Sequence, residues 1–107
     1  STTALCYMSG NSVCLLDITQ GTRKFLHTTA YGITKLAGCA VKGLVAFCEG
    51  GTSPHVFVYS IEPPRLRYTL SNVTELELAD LAFSRDGSRL YTLSRATSKR
   101  LIAFSTV

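Results

Sequence analysis

Two histidines, four cysteines and a scatter of carboxylates are the residues of this 107-residue chain that could hold a metal or move a proton. His27 and His55 have no Cys, Asp or Glu at ligand spacing, so both read as solvated histidines at strand ends and no metal site is expected. Cys6, Cys14, Cys39 and Cys48 form no C-x-x-C pair, and each lies inside an apolar run rather than a turn. They read as small buried hydrophobes, not as zinc ligands or a disulfide frame. Free buried thiols point to a reducing, cytosolic compartment. Glu75, Glu77 and Asp80 cluster in sequence and read as a solvated face. No G-x-S-x-G elbow presents a serine as nucleophile. Gly50-Gly51-Thr52 reads as a hairpin tip, because no helix with a lysine follows it to cradle phosphate. No catalytic residue, metal, cofactor or small-molecule substrate is expected.

Charge is the one sign of a partner. The net charge is +4, and Arg85, Arg89, Arg95, Lys99 and Arg100 lie within sixteen residues. Such a cluster suits an acidic surface, of a protein or of nucleic acid. The turns at Arg85 and at 95–99 fall at opposite ends of one strand, and no aromatic residues interleave the basic ones to stack on bases. Dispersed solubilising charge is the first reading and a protein contact patch the second; nucleic acid is not expected.

The elements that position these residues repeat. Residues 43–60 align with 88–105 without a gap at an offset of 45, and residues 4–18 fit the same frame with a shorter hairpin. Each copy is an apolar run, a polar turn and a second apolar run. Residues 4–8, 13–18, 44–48, 56–61, 90–93 and 101–107 are rich in Val, Ile, Leu, Phe and Tyr and read as strands. Several, such as Val56-Phe57-Val58-Tyr59, are apolar at every position, which implies burial on both faces. Shorter, more polar strands are expected at 24–27 and 67–70, and opening strands at 33–39 and 78–84. Asp86-Gly87 and Lys42-Gly43 mark equivalent hairpins; Gln20-Gly21 and Pro63-Pro64 break the chain after successive third strands. A helix over 74–83 is the rival reading, since Thr74-Glu75-Leu76-Glu77 has a capping-box pattern. The repeat favours a strand there.

A period of roughly 40–45 residues is that of one four-stranded propeller blade. The expected fold is all-β: a partial β-propeller of about two and a half antiparallel blades, over residues 3–27, 32–70 and 76–107. Two and a half blades cannot close a ring that needs about four to eight, so a longer protein is expected. Composition, 46% apolar and 17% charged, is that of a globular domain. No apolar run is long enough to span a membrane as a helix, and no secretory leader is read at Ser1.

Phe83-Ser84-Arg85-Asp86-Gly87-Ser88-Arg89-Leu90 resembles the turn between the first two strands of a WD repeat. The usual Trp-Asp places carry Leu16-Asp17, Tyr59-Ser60 and Phe104-Ser105, and no Gly-His dipeptide precedes a blade, so the resemblance is to a degenerate WD-like propeller. Leu5-Cys6-Tyr7-Met8-Ser9-Gly10-Asn11-Ser12-Val13 and Gly51-Thr52-Ser53-Pro54-His55-Val56-Phe57-Val58-Tyr59 are similar to hairpins in the N-terminal propellers of cilia- and flagella-associated WD-repeat proteins. Ala103-Phe104-Ser105 departs from that family, which often carries Trp there. The resemblance implies a non-catalytic interaction scaffold of the axoneme, with tubulin, dynein or another axonemal WD-repeat protein as partner, and implies no catalytic residue. A general cytosolic WD-repeat adaptor is the alternative. A propeller hydrolase is a third reading for which this stretch supplies no residue. Candidate contacts are the turns 9–12, 50–54, 85–88 and 95–99.

Overall fold

The computed structural model describes residues 4–51, 53–71, 78–94 and 101–105. They form ten strands: β1 (Ala4–Ser9), β2 (Ser12–Asp17), β3 (Thr22–Thr28), β4 (Ile33–Cys39), β5 (Leu44–Glu49), β6 (Val56–Ile61), β7 (Pro64–Leu70), β8 (Leu78–Phe83), β9 (Arg89–Ser94) and β10 (Leu101–Ser105). All pairings are antiparallel, in three sheets ordered β1-β2-β3, β4-β5-β6-β7 and β8-β9-β10. The all-β expectation holds for the described residues. Residues 78–83 are a strand, so the rival helix is excluded there; residues 74–77, with Glu75 and Glu77, lie outside the described residues.

Burial on both faces explains the continuous apolar runs. The four-stranded sheet is the middle layer. On one side Val45, Phe47 and Tyr59 join Val13 of the first sheet in a core that Cys6 and Leu26 also line. On the other side Ala46, Cys48, Val56 and Val58 join Leu78, Leu81 and Leu90 of the third sheet. The register sorts them by face. Val45 pairs with Tyr59 and Phe47 with Phe57, while Ala46 pairs with Val58 and Cys48 with Val56. Alternate residues of a strand point to opposite faces, so two cores need apolar residues at every position. The polar outer strand expected at 67–70 is β7, which is almost wholly exposed. It begins at Pro64, a position that an edge strand tolerates because no ladder bond is lost.

The repeat is structural as well as sequential. A bulge interrupts the β4–β5 pairing between Ile33 and Lys35, and another interrupts β8–β9 between Leu78 and Asp80, 45 positions on. Contacts between sheets run chiefly through β8 on β4 and β5, with β1 touching β4.

Candidate functional site: the two turn ends of the sheets

At one end of the strands the hairpin between β5 and β6 closes over the connection from β3 to β4. Glu49, the last residue of β5, is buried, and its carboxylate is fully engaged. Oε1 accepts from His55 Nδ1 at 2.6 Å and from the His55 backbone N–H at 3.1 Å; Oε2 accepts from the Thr29 hydroxyl at 2.8 Å. Thr29 Oγ1 in turn accepts from the Tyr31 N–H at 3.3 Å. Backbone bonds tie the same segments: Gly50 N donates to Gly32 O at 3.0 Å and Thr29 N to Asn11 O at 3.0 Å. Gly50 must be glycine, since a Cβ there would lie 2.6 Å from the Tyr31 carbonyl oxygen. Burial pushes the Glu49 pKa up, but the hydrogen bonds from His55 and Thr29 outweigh it and hold the carboxyl below its ordinary value. The ionised carboxylate has no proton to give, so His55 Nδ1 carries the hydrogen.

The second histidine lies beside this knot. His27 Nδ1 shares a hydrogen bond of 2.9 Å with the Tyr59 hydroxyl, and its ring centroid lies 4.3 Å from Phe57 and 5.4 Å from Phe47. Burial holds the imidazole below its ordinary pKa and the phenol of Tyr59 above its own. His27 corrects the expectation of a solvated strand-end residue, since it is half-buried among aromatic rings; His55 is exposed as expected, but its Nδ1 is held by the buried carboxylate of Glu49. Their partners are legible only across the hairpin. Glu49 and His55 are six residues apart, outside ligand spacings, yet Glu49 N donates to His55 O at 3.2 Å, so the two face each other where the hairpin opens.

The knot is structural in chemistry. A carboxylate-oriented imidazole can act as a general base, but the one hydroxyl bonded here, that of Thr29, already donates to the same carboxylate. Among the described residues no three His, Cys, Asp or Glu are grouped to hold a metal ion. None of the cysteines is in a disulfide; Cys14, Cys39 and Cys48 are buried. Burial, with the neighbouring Cys14 thiol, pushes the Cys6 pKa up to about 11, far from a reactive thiolate. A groove of about 220 Å³ between the β2–β3 and β6–β7 ends is lined by Asp17, Lys24 and Glu62, but Asp17 Oδ1 accepts from Thr19 N and Gln20 N to close its own turn.

The opposite end carries the basic turn. Asp86 Oδ1 accepts from Ser88 N at 3.0 Å, Ser88 Oγ at 2.8 Å and Ser84 Oγ at 2.8 Å, and these bonds lower its pKa to about 2. Ser84 Oγ also accepts from Arg89 N at 3.0 Å. Gly87 has φ +75°, and a Cβ there would lie 2.6 Å from Cys39 Sγ and 2.5 Å from Lys42 Cγ. The turn is thus locked against the β4–β5 turn, with Arg85 and Arg89 exposed on it and the Lys42 stem alongside. Arg95, Lys99 and Arg100 lie outside the described residues. No protein-family model matches the chain, and no curated protein matches it closely enough to count as a relative.

Proposed function

We propose that the chain is a run of WD-like propeller blades serving as a non-catalytic interaction scaffold. The observation that carries this is the layering: three sheets stacked face to face, each pair sharing a core, with inter-sheet contact running through β1, β4 and β8. Sheets that meet through their first strands suit a radial array about an axis. In such an array rigid sheets hold the connecting turns in place, so a partner binds without ordering them first. The resemblance of the two hairpins to those of cilia- and flagella-associated proteins supports the axoneme as the setting. The exposed Arg85 and Arg89, beside Lys42, support an acidic protein surface such as tubulin as the partner; Arg95, Lys99 and Arg100 follow the other end of β9 in sequence and stay a separate candidate contact. No nucleic acid, membrane or cofactor enters this reading. A cytosolic WD-repeat adaptor remains the alternative, favoured if contacts lie elsewhere.

Co-sedimentation with assembled microtubules tests it. The chain is expected to pellet with the polymer, more weakly as salt rises, and the double variant Arg85→Glu/Arg89→Glu to stay in the supernatant. A wild-type chain that never pellets removes the tubulin contact.

A further inference from the structure

The hairpin between β8 and β9 carries more chemistry than a turn needs. Its counterpart 45 positions earlier closes with Ala40-Val41-Lys42-Gly43, which has neither a carboxylate nor a hydroxyl. At 84–89 one carboxylate oxygen, Asp86 Oδ1, gathers the hydroxyls of Ser84 and Ser88 and the Ser88 N–H. Exposed Arg85 and Arg89 stand on either side of this group.

Three serine or threonine residues stand three places after an arginine: Ser88 after Arg85, Thr92 after Arg89 and Ser98 after Arg95. That spacing is read by protein kinases whose acidic pocket takes a cation ahead of the target hydroxyl. The structure separates the three. Thr92 is 1% exposed, inside β9, and Ser98 lies outside the described residues. Ser88 is part-exposed at a hairpin tip, and its arginine is exposed. Ser84, which shares the same carboxylate, has Leu81 in the arginine's place.

We infer that Ser88 is a phosphorylation site, and that its phosphate opens the 84–89 turn and cancels the basic patch on it. The donor is ATP and the enzyme a protein kinase selective for basic sequences. Ser88 Oγ bonds to the γ-phosphorus as the bond from that phosphorus to the β-phosphate oxygen breaks; ADP leaves, and the hydroxyl proton passes to the kinase's catalytic carboxylate. The modified oxygen has no hydrogen left to donate to Asp86 Oδ1, which it formerly met at 2.8 Å. In its place the phosphate sets a charge of about −1.5 to −2 beside a carboxylate, so repulsion replaces a hydrogen bond. The turn that sits on Cys39 and Lys42 is thereby loosened. Lys42, Arg85 and Arg89 outnumber Asp86 at this end, and one phosphate removes their excess. The charge part rests on the acidic partner proposed above; the turn part does not.

Treating the Ser98→Ala chain with ATP and the catalytic subunit of the cyclic-AMP-dependent protein kinase tests it. Mass spectrometry is expected to map the phosphate to Ser88. Arg85→Ala is expected to slow its addition about tenfold, the worth of one charge-assisted contact. N-ethylmaleimide is expected to label the buried Cys39 several times faster on the phosphorylated chain than on the unmodified one, while Cys14, in the first sheet, keeps its rate. Pelleting with microtubules is expected to fall to the level of Arg85→Glu/Arg89→Glu. No phosphate on Ser88 overturns the inference, and so does an unchanged Cys39 rate once the phosphate is there. A phosphorylated chain that pellets as the unmodified one does overturns the charge part. Where the unmodified chain never pellets, yet Ser88 takes its phosphate and Cys39 is freed, the tubulin reading fails alone and the site stands.

Discussion

Glu49 carries the highest local stakes, because one buried carboxylate satisfies three donors from two segments. Replacing it by Ala strands the Thr29 hydroxyl and the His55 N–H, and is expected to cost about 3 kcal/mol in urea unfolding. Glu62→Ala, at an exposed turn, is expected to stay within about 0.5 kcal/mol of wild type. Acid acts at the same place. His27, Glu49 and Asp86 all have folded-state pKa values below their ordinary ones. The unfolded chain therefore binds protons more readily, and stability is lost as pH falls. The His27 contribution is complete above the ordinary imidazole value of 6.5 and is lost as pH falls from there towards the folded value. Glu49 and Asp86 follow at lower pH, below their ordinary 4.5 and 3.8. Urea midpoints taken across this range are expected to drop in two stages, and His27→Phe is expected to remove the first. A flat profile either side of 6.5 would show that His27 does not titrate with folding. None of this was legible from residue spacing, since each group depends on what the fold sets against it.

At the level of the strand, β5 is the element that two cores share. Phe47 is fully buried among Val45, Tyr59 and Val13, so Phe47→Ala is expected to cost about 3–5 kcal/mol. Leu66, exposed on the edge strand β7, is expected to change stability by less than about 0.5 kcal/mol on the same truncation. The turns divide in a similar way. Gly43 and Gly87 both have positive φ, at +63° and +75°, but a Cβ at Gly43 meets open space while one at Gly87 meets Cys39 and Lys42. Each Gly→Ala is expected to lose roughly 1–2 kcal/mol to left-handed backbone; Gly87→Ala is expected to lose more, because buried Cys39 must also move. Equal losses in melting temperature would mean the two turns do not touch. Most strand boundaries were readable from the sequence to within one or two residues, at 33–39 and 56–61 without error; β7 was the exception, starting at Pro64, three residues before the expected 67–70. Apolar runs between turn residues define a strand locally, whichever partner it finds.

For the whole molecule, covered interior strands should resist opening longest. In hydrogen exchange the amides of β5 and β6, inside the middle sheet, are expected to be the slowest; those of the exposed β3 and β7 edges are expected to exchange early. Uniform exchange across the three sheets would contradict a stack with a shared centre. The sequence by itself determined the strands, their hairpin pairing and the 45-residue repeat, because period, turn chemistry and apolar runs act over a few residues at a time. It also implied that the middle strands are covered on both faces, since no alternation was left in them. Only the tertiary structure decided which sheet lies against which, that the Asp86-Gly87 turn locks onto Cys39, and that Glu49 gathers Thr29 and His55 into one knot. Those contacts join segments distant in the chain, and their strength comes from the burial that the packing of one sheet on the next creates.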